Sequence, residues 1–88
     1  MAVKPLKAMI AQAFATGETL DAQTVHAQIE SLYRGEKYCS VPTVADHLKS
    51  LKAVGILRED SSFLNDAGML VSQYRISDYG LNKVTHSE

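Results

Sequence analysis

The chain has few of the residues that build disulfides, metal sites and enzyme centres. Of its 88 residues one is cysteine, Cys39, and none is tryptophan. One cysteine forms no internal disulfide and no cysteine-based zinc site, which favours a reducing, cytoplasmic compartment. Its three histidines, His26, His47 and His86, are scattered, and the catalytic motifs GxSxG, HExxH and the glycine-rich phosphate loop are absent. We therefore expect no enzyme, metal or cofactor.

Long apolar runs are also missing. No stretch approaches the ~20 apolar residues that a membrane-spanning helix needs. The first residues, MAVKPLKAMIAQAFATG, imitate a signal peptide because lysines precede short apolar segments. Gln12 interrupts the apolar run and Pro5 begins a helix, which favours a retained segment over a cleaved signal. The composition, 45% hydrophobic and 22% charged, predicts one globular domain over residues 1–88.

The charge of the chain is small but uneven. The formal net charge is −1. Residues 34–58 hold five basic and two acidic side chains, a net of +3, whereas the remainder holds four basic and eight acidic, a net of −4. Clustered positive charge is the pattern that attracts a polyanion.

Two scaffold helices are predicted in the first third of the chain. A helix over about 4–16 ends at Gly17, and a second over about 21–33 is capped by Asp21, with Leu20 before it as a single β-bridge residue. Their apolar stripes at helical spacing are Leu6, Met9, Ile10, Ala13 and Phe14 in the first, and Val25, Ile29, Leu32 and Tyr33 in the second. His26 lies beside the second stripe as a structural histidine.

The most informative stretch is Ser40 to Leu57, SVPTVADHLKSLKAVGIL. Ser40 is a helix cap, and Pro42 stands in the first turn, where its missing N–H costs nothing. Val44, Leu48 and Leu51 recur at i, i+4 and i+7, which predicts a helix over about 41–54. Gly55 ends the helix and a strand follows.

The order of these residues resembles the recognition helix of bacterial and phage winged helix-turn-helix regulators, which reads "pTv..hL..L…Gil". Downstream, Tyr74-Arg75-Ile76-Ser77 and Gly80 are similar to the family's "Y.L(T/S)..G" at the end of the wing. The resemblance covers about residues 6–80. It implies an α+β winged helix, with a three-helix bundle, a hairpin wing over about 56–77 and a possible short fourth helix.

The resemblance also implies that helix 41–54 enters the DNA major groove. The candidate DNA-binding residues on the helix, its cap and the preceding turn are Arg34, Lys37, Tyr38, Ser40, Thr43, Asp46, His47, Lys49, Ser50 and Lys52. Asp46 departs from the family pattern: an aspartate accepts a hydrogen bond from cytosine but repels phosphates. A solvated surface turn is the alternative for Arg34, Lys37 and Tyr38.

The predicted wing is unusual in composition. Its loop, EDSSFLNDAGM at 59–69, contains three acidic side chains and no lysine or arginine. Phe63, Leu64 and Met69 are apolar. Two interpretations remain open: Phe63 and Leu64 fold back onto the core, or the tip contacts another protein or a second subunit.

Two functions from different classes follow from the sequence. The first is a sequence-specific transcriptional regulator that binds double-stranded DNA as a homodimer. The alternative is a protein-interaction module that acts through the acidic and apolar wing and has little DNA affinity. The +3 segment favours the first, whereas Asp46 and the wing composition favour the second.

Overall fold

The computed structural model describes residues 5–36 and 39–85 and has an α+β architecture. Its elements in chain order are α1 (Leu6–Ala13), α2 (Ala22–Ile29), a 3₁₀ turn (Glu30–Tyr33), α3 (Val41–Ala53), β1 (Leu57–Leu64), β2 (Leu70–Ile76) and α4 (Asp78–Thr85). The two strands form an antiparallel hairpin. Within the described residues, no helix is both long and apolar enough to cross a membrane.

One apolar core joins the helices to the base of the hairpin. Its buried side chains come from every helix and from both strands: Leu6, Ile10, Ala11, Phe14, Leu20, Val25, Ile29, Tyr33, Val44, Leu48, Leu51, Leu57, Tyr74 and Val84. Leu20 and Tyr74 form the predicted single β-bridge, which ties the segment before α2 to β2. The hairpin continues past this bridge, away from the core.

The first two helices are shorter than the apolar stripes predict. Residues 14–16 form a tight turn, since Phe14 N–H donates to the Ala11 carbonyl and Ala15 N–H to the Gln12 carbonyl, three residues back. The second helix changes to 3₁₀ winding at Glu30. Because that winding has a different angular spacing, the predicted burial of Leu32 is wrong, and its side chain is 48% exposed.

The hairpin lies within its predicted bounds, but its loop is shorter than predicted because β1 runs through half of the segment expected to be loop. Ser61, Ser62 and Phe63 pair with Gln73, Ser72 and Val71. The connecting loop therefore spans only 65–69. Its turn is closed by Asn65, whose Oδ1 accepts from the N–H groups of residues 67 and 69 at 2.9 and 3.0 Å. Cross-strand pairing overrides the weak strand preference of aspartate and serine.

Candidate nucleic-acid interface

Helix α3 begins and ends where its local residues dictate. The Ser40 hydroxyl accepts from Thr43 N–H at 3.3 Å, which satisfies one of the free donors of the first turn. Gly55 follows the helix at φ +85°, a backbone conformation that glycine adopts without a steric penalty. The predicted cap, Pro42 in the first turn and the stop are confirmed.

The inner side of α3 fixes which side chains face outward. Val44 and Leu48 are fully buried, and Leu51 is nearly so. The opposite side carries Asp46 and Lys49, which are both exposed among the described residues. This uncovered side of α3 is the candidate interface.

Three of the predicted contact residues are available on α3. In the part of the chain that the structure describes, the side chains of Asp46, His47 and Lys49 have no hydrogen-bond or ion-pair partner. Asp46 and Lys49 are exposed and His47 is half-buried. They offer an acceptor, an imidazole and a cation within one turn of helix, a set able to contact base edges and a phosphate.

Four other predicted residues either belong to the helix cap or lie outside the described chain. Ser40 donates its hydroxyl proton to Thr43 Oγ1 at 3.0 Å, so these hydroxyls serve the helix cap. Lys37 and Tyr38 lie outside the described residues. Arg34 is exposed at the end of the 3₁₀ turn, which leaves both of its interpretations open.

Two side-chain contacts between different elements change the charge of the interface. Lys52 Nζ donates to Glu59 Oε1 at 3.4 Å, so a carboxylate of β1 partly offsets the charge of that lysine. Lys7 of α1 donates to Ser50 Oγ at 2.8 Å, which adds a cation at the helix and engages the serine hydroxyl. Sequence spacing does not signal the first-helix contact, because 43 residues separate Lys7 from Ser50.

The turn before α3 is anchored by a histidine and carries the single thiol. The Nε2 atom of His26 lies 3.2 Å from the Cys39 carbonyl oxygen, and its Nδ1 atom lies 3.8 Å from a Glu30 carboxylate oxygen. Both contacts fit the structural role predicted for this histidine. No group of three histidine, cysteine or acidic side chains that could hold a metal ion occurs within 5–36 and 39–85.

Cys39 is expected to react slowly in the folded protein. Burial, followed by the nearby Glu30 carboxylate, raises the pKa of the Cys39 thiol. Because the thiolate is the reactive form, alkylation by iodoacetamide at pH 8 should be slower in the folded chain than in the same chain in urea. Mass spectrometry of timed samples measures both rates. Faster alkylation in the folded chain would contradict this assignment.

The end of the hairpin is apolar and exposed. The side chains of Phe63, Leu64, Met69 and Leu70 are 45%, 69%, 66% and 68% exposed, respectively. The interpretation that Phe63 and Leu64 fold onto the core is therefore wrong: cross-strand pairing holds both on the projecting hairpin. These four residues form the apolar tip.

Comparisons with protein-family models, with curated proteins and with solved structures give no match to this chain.

Proposed function

We propose that the protein is a winged-helix transcriptional regulator that binds double-stranded DNA by placing α3 in the major groove. The observation that carries the proposal is the uncovered side of α3, where Asp46, His47 and Lys49 have no partner in the described chain. A buried stripe holds this helix on a small bundle, and a hairpin projects beside it. The major groove of DNA is wide enough to admit one α-helix.

The charges at α3 divide its lysines into two classes. Lys49 is free to neutralise a phosphate, whereas Lys52 must first leave Glu59. Each phosphate neutralised by a protein adds about 0.9 to the slope of log affinity against log salt concentration. If DNA binds through this helix, then removing the charge of Lys49 and removing the charge of Glu59 should change the DNA affinity in opposite directions.

Lys49→Ala is expected to weaken binding to every duplex and to lower the salt slope by about one unit, because one phosphate contact is lost. Glu59→Gln is expected to strengthen binding, since it releases Lys52 for phosphate. Fluorescence anisotropy with a labelled generic duplex between 50 and 200 mM salt (roughly the range over which such contacts change affinity) measures both effects.

Lys83→Ala is the matched control, because it also removes one lysine charge but from α4 rather than from α3. Lys83 lies over the Tyr79 ring. Its affinity and salt slope should equal those of the unchanged protein. Equal losses in Lys49→Ala and Lys83→Ala would mean that DNA is attracted by overall charge. No binding of the unchanged protein at 50 mM salt would reject the proposal.

A second candidate function, protein binding through the hairpin, is favoured by the exposed apolar tip. The segment from Glu59 to Gln73 contains no basic residue, so the tip offers no cation to a phosphate. Within this segment, Phe63 and Leu64 instead offer apolar area of the kind that marks protein contacts. Phe63→Ser should abolish such a contact and leave the melting temperature almost unchanged, because this side chain is not in the core.

A further inference from the structure

The outer edge of β2 is paired at one residue only. Leu20 and Tyr74 exchange both of their backbone hydrogen bonds, with N···O distances of 2.8 Å. Along a strand, residues i and i+2 present their N–H and C=O groups to the same edge. Ser72 and Leu70 therefore point these groups toward the edge that Tyr74 uses, and no described residue pairs with them there.

The edge is open because the chain leaves it at the start of α2. A strand that continued from Leu20 would run beside Ser72. Asp21 instead accepts a hydrogen bond from Thr24 N–H at 2.8 Å and caps the helix, which turns the chain away. The space along β2 beyond the bridge is left without a strand.

This space is a groove of about 450 Å³ between β2 and α3. On the α3 side it is lined by Val41, Pro42 and Ala45, and on the hairpin side by Met69 and Leu70, among others.

The groove has one charged lining residue, Lys49, whose ammonium group has no ion-pair partner in the described chain. An acidic side chain is its charge complement. The unpaired backbone N–H and C=O groups of β2 can bond only to a segment whose own backbone groups are unpaired. An extended strand meets this condition. An α-helix does not meet this condition, because its backbone groups are bonded internally.

We propose that the groove binds an extended, mainly apolar peptide segment of a partner protein, carrying one acidic side chain, as a strand added to β2. The segment pairs with Ser72 and Leu70 and places its acidic group at Lys49. At about 3.3 Å per residue, four residues extend about 13 Å along this edge. Binding by strand addition takes affinity from the main chain and specificity from alternate side chains. The proposal goes beyond DNA binding and does not depend on it.

The test is an NMR titration of the isotopically labelled protein with a panel of synthetic peptides. Each peptide has seven residues with capped ends, in which threonine alternates with valine, leucine or phenylalanine and one position is glutamate. We expect at least one peptide to shift the amides of Leu70, Ser72 and Ala45 and to slow exchange of the Ser72 amide at least tenfold. If no peptide of the panel shifts these amides at 2 mM, the proposal is rejected.

Two changes identify main-chain pairing. The best peptide, N-methylated at alternate residues on its pairing edge, keeps its side chains but loses its donors and should bind at least tenfold more weakly. Ser72→Pro removes the outward N–H of β2 and should have the same effect, with the β1–β2 cross-strand NMR contacts intact as evidence of folding. Equal binding of the methylated and unmethylated peptides would overturn the proposal.

A side-chain exchange identifies the charge contact. Lys49→Gln should weaken binding of the glutamate peptide and leave its glutamine counterpart unaffected. Lys83→Gln is the control, because Lys83 lies on α4 and does not line the groove, so its loss should not change peptide affinity. Sedimentation of the free protein tests whether a second copy of this chain occupies the edge instead. A dimer that Ser72→Pro dissociates would assign the edge to that second copy and overturn the proposal.

Discussion

Replacing Gly80 with alanine is expected to destabilise the protein by about 3 kcal/mol, because a methyl group at this position has no space. Gly80 is buried in α4, and a Cβ atom there would collide with the Ile56 backbone, including its carbonyl oxygen. The collision is with main chain, so no side-chain rotation relieves it. For a domain of this size, the loss corresponds to a fall in melting temperature on the order of 10–25 °C.

The close approach at Gly80 is built by hydrogen bonds that converge on the start of α4. Ser77 N–H donates to the Ile56 carbonyl at 3.0 Å, and the Ser77 hydroxyl accepts from Gly80 N–H at 2.9 Å. The first bond holds the start of α4 against the residue that precedes β1, and the second closes the first turn of the helix. The glycine is needed for this contact rather than for an unusual backbone conformation, since its φ is not among the positive ones.

Asn82→Ala provides the control on the same helix. Asn82 is exposed, and alanine is the better helix former, so this variant should match or slightly exceed the unchanged protein in melting temperature. Helix propensity alone would make Gly80→Ala stabilising by about 1 kcal/mol. A melting temperature for Gly80→Ala at or above that of the unchanged protein, measured by circular dichroism, would show that α4 does not pack on Ile56 in solution.

The sequence predicts well those parts of the structure that are determined by interactions between residues close together in the chain. The bounds of α3 follow from the Ser40 cap, Pro42 in the first turn and the glycine stop at Gly55, and the observed helix differs from the predicted one at its last residue only. The inward side of α3 follows from its periodicity, which places Val44, Leu48 and Leu51 in the core.

The parts that sequence does not predict depend on contacts between separate elements of the fold. The extent of β1 is decided by pairing across the hairpin, so a serine-rich segment with loop composition becomes strand. The charge near α3 is decided by the contacts of Lys7 with Ser50 and of Lys52 with Glu59, which the folded chain brings together. The groove between β2 and α3 is formed by residues from three separate regions of the chain.

Leu48→Ala is expected to cost about 2–5 kcal/mol of unfolding free energy, because Leu48 is fully buried and truncation leaves a cavity in the core. A domain of this length has a total stability of roughly 4–13 kcal/mol, so the variant loses a large part of it. The predicted fall in melting temperature is on the order of 10–30 °C. Urea unfolding followed by circular dichroism measures the free energy directly.

Leu70→Ala is the matched control, because it removes the same atoms from a leucine that is 68% exposed. Its cost should lie within about 0.5 kcal/mol of zero. Equal losses from both variants would mean that Leu70 is buried in solution, by the core or by a second copy. A large loss at Leu48 with none at Leu70 would show that the fold does not depend on the leucine of the apolar tip. The apolar side chains of the hairpin would then be available to a binding partner without a cost to the core.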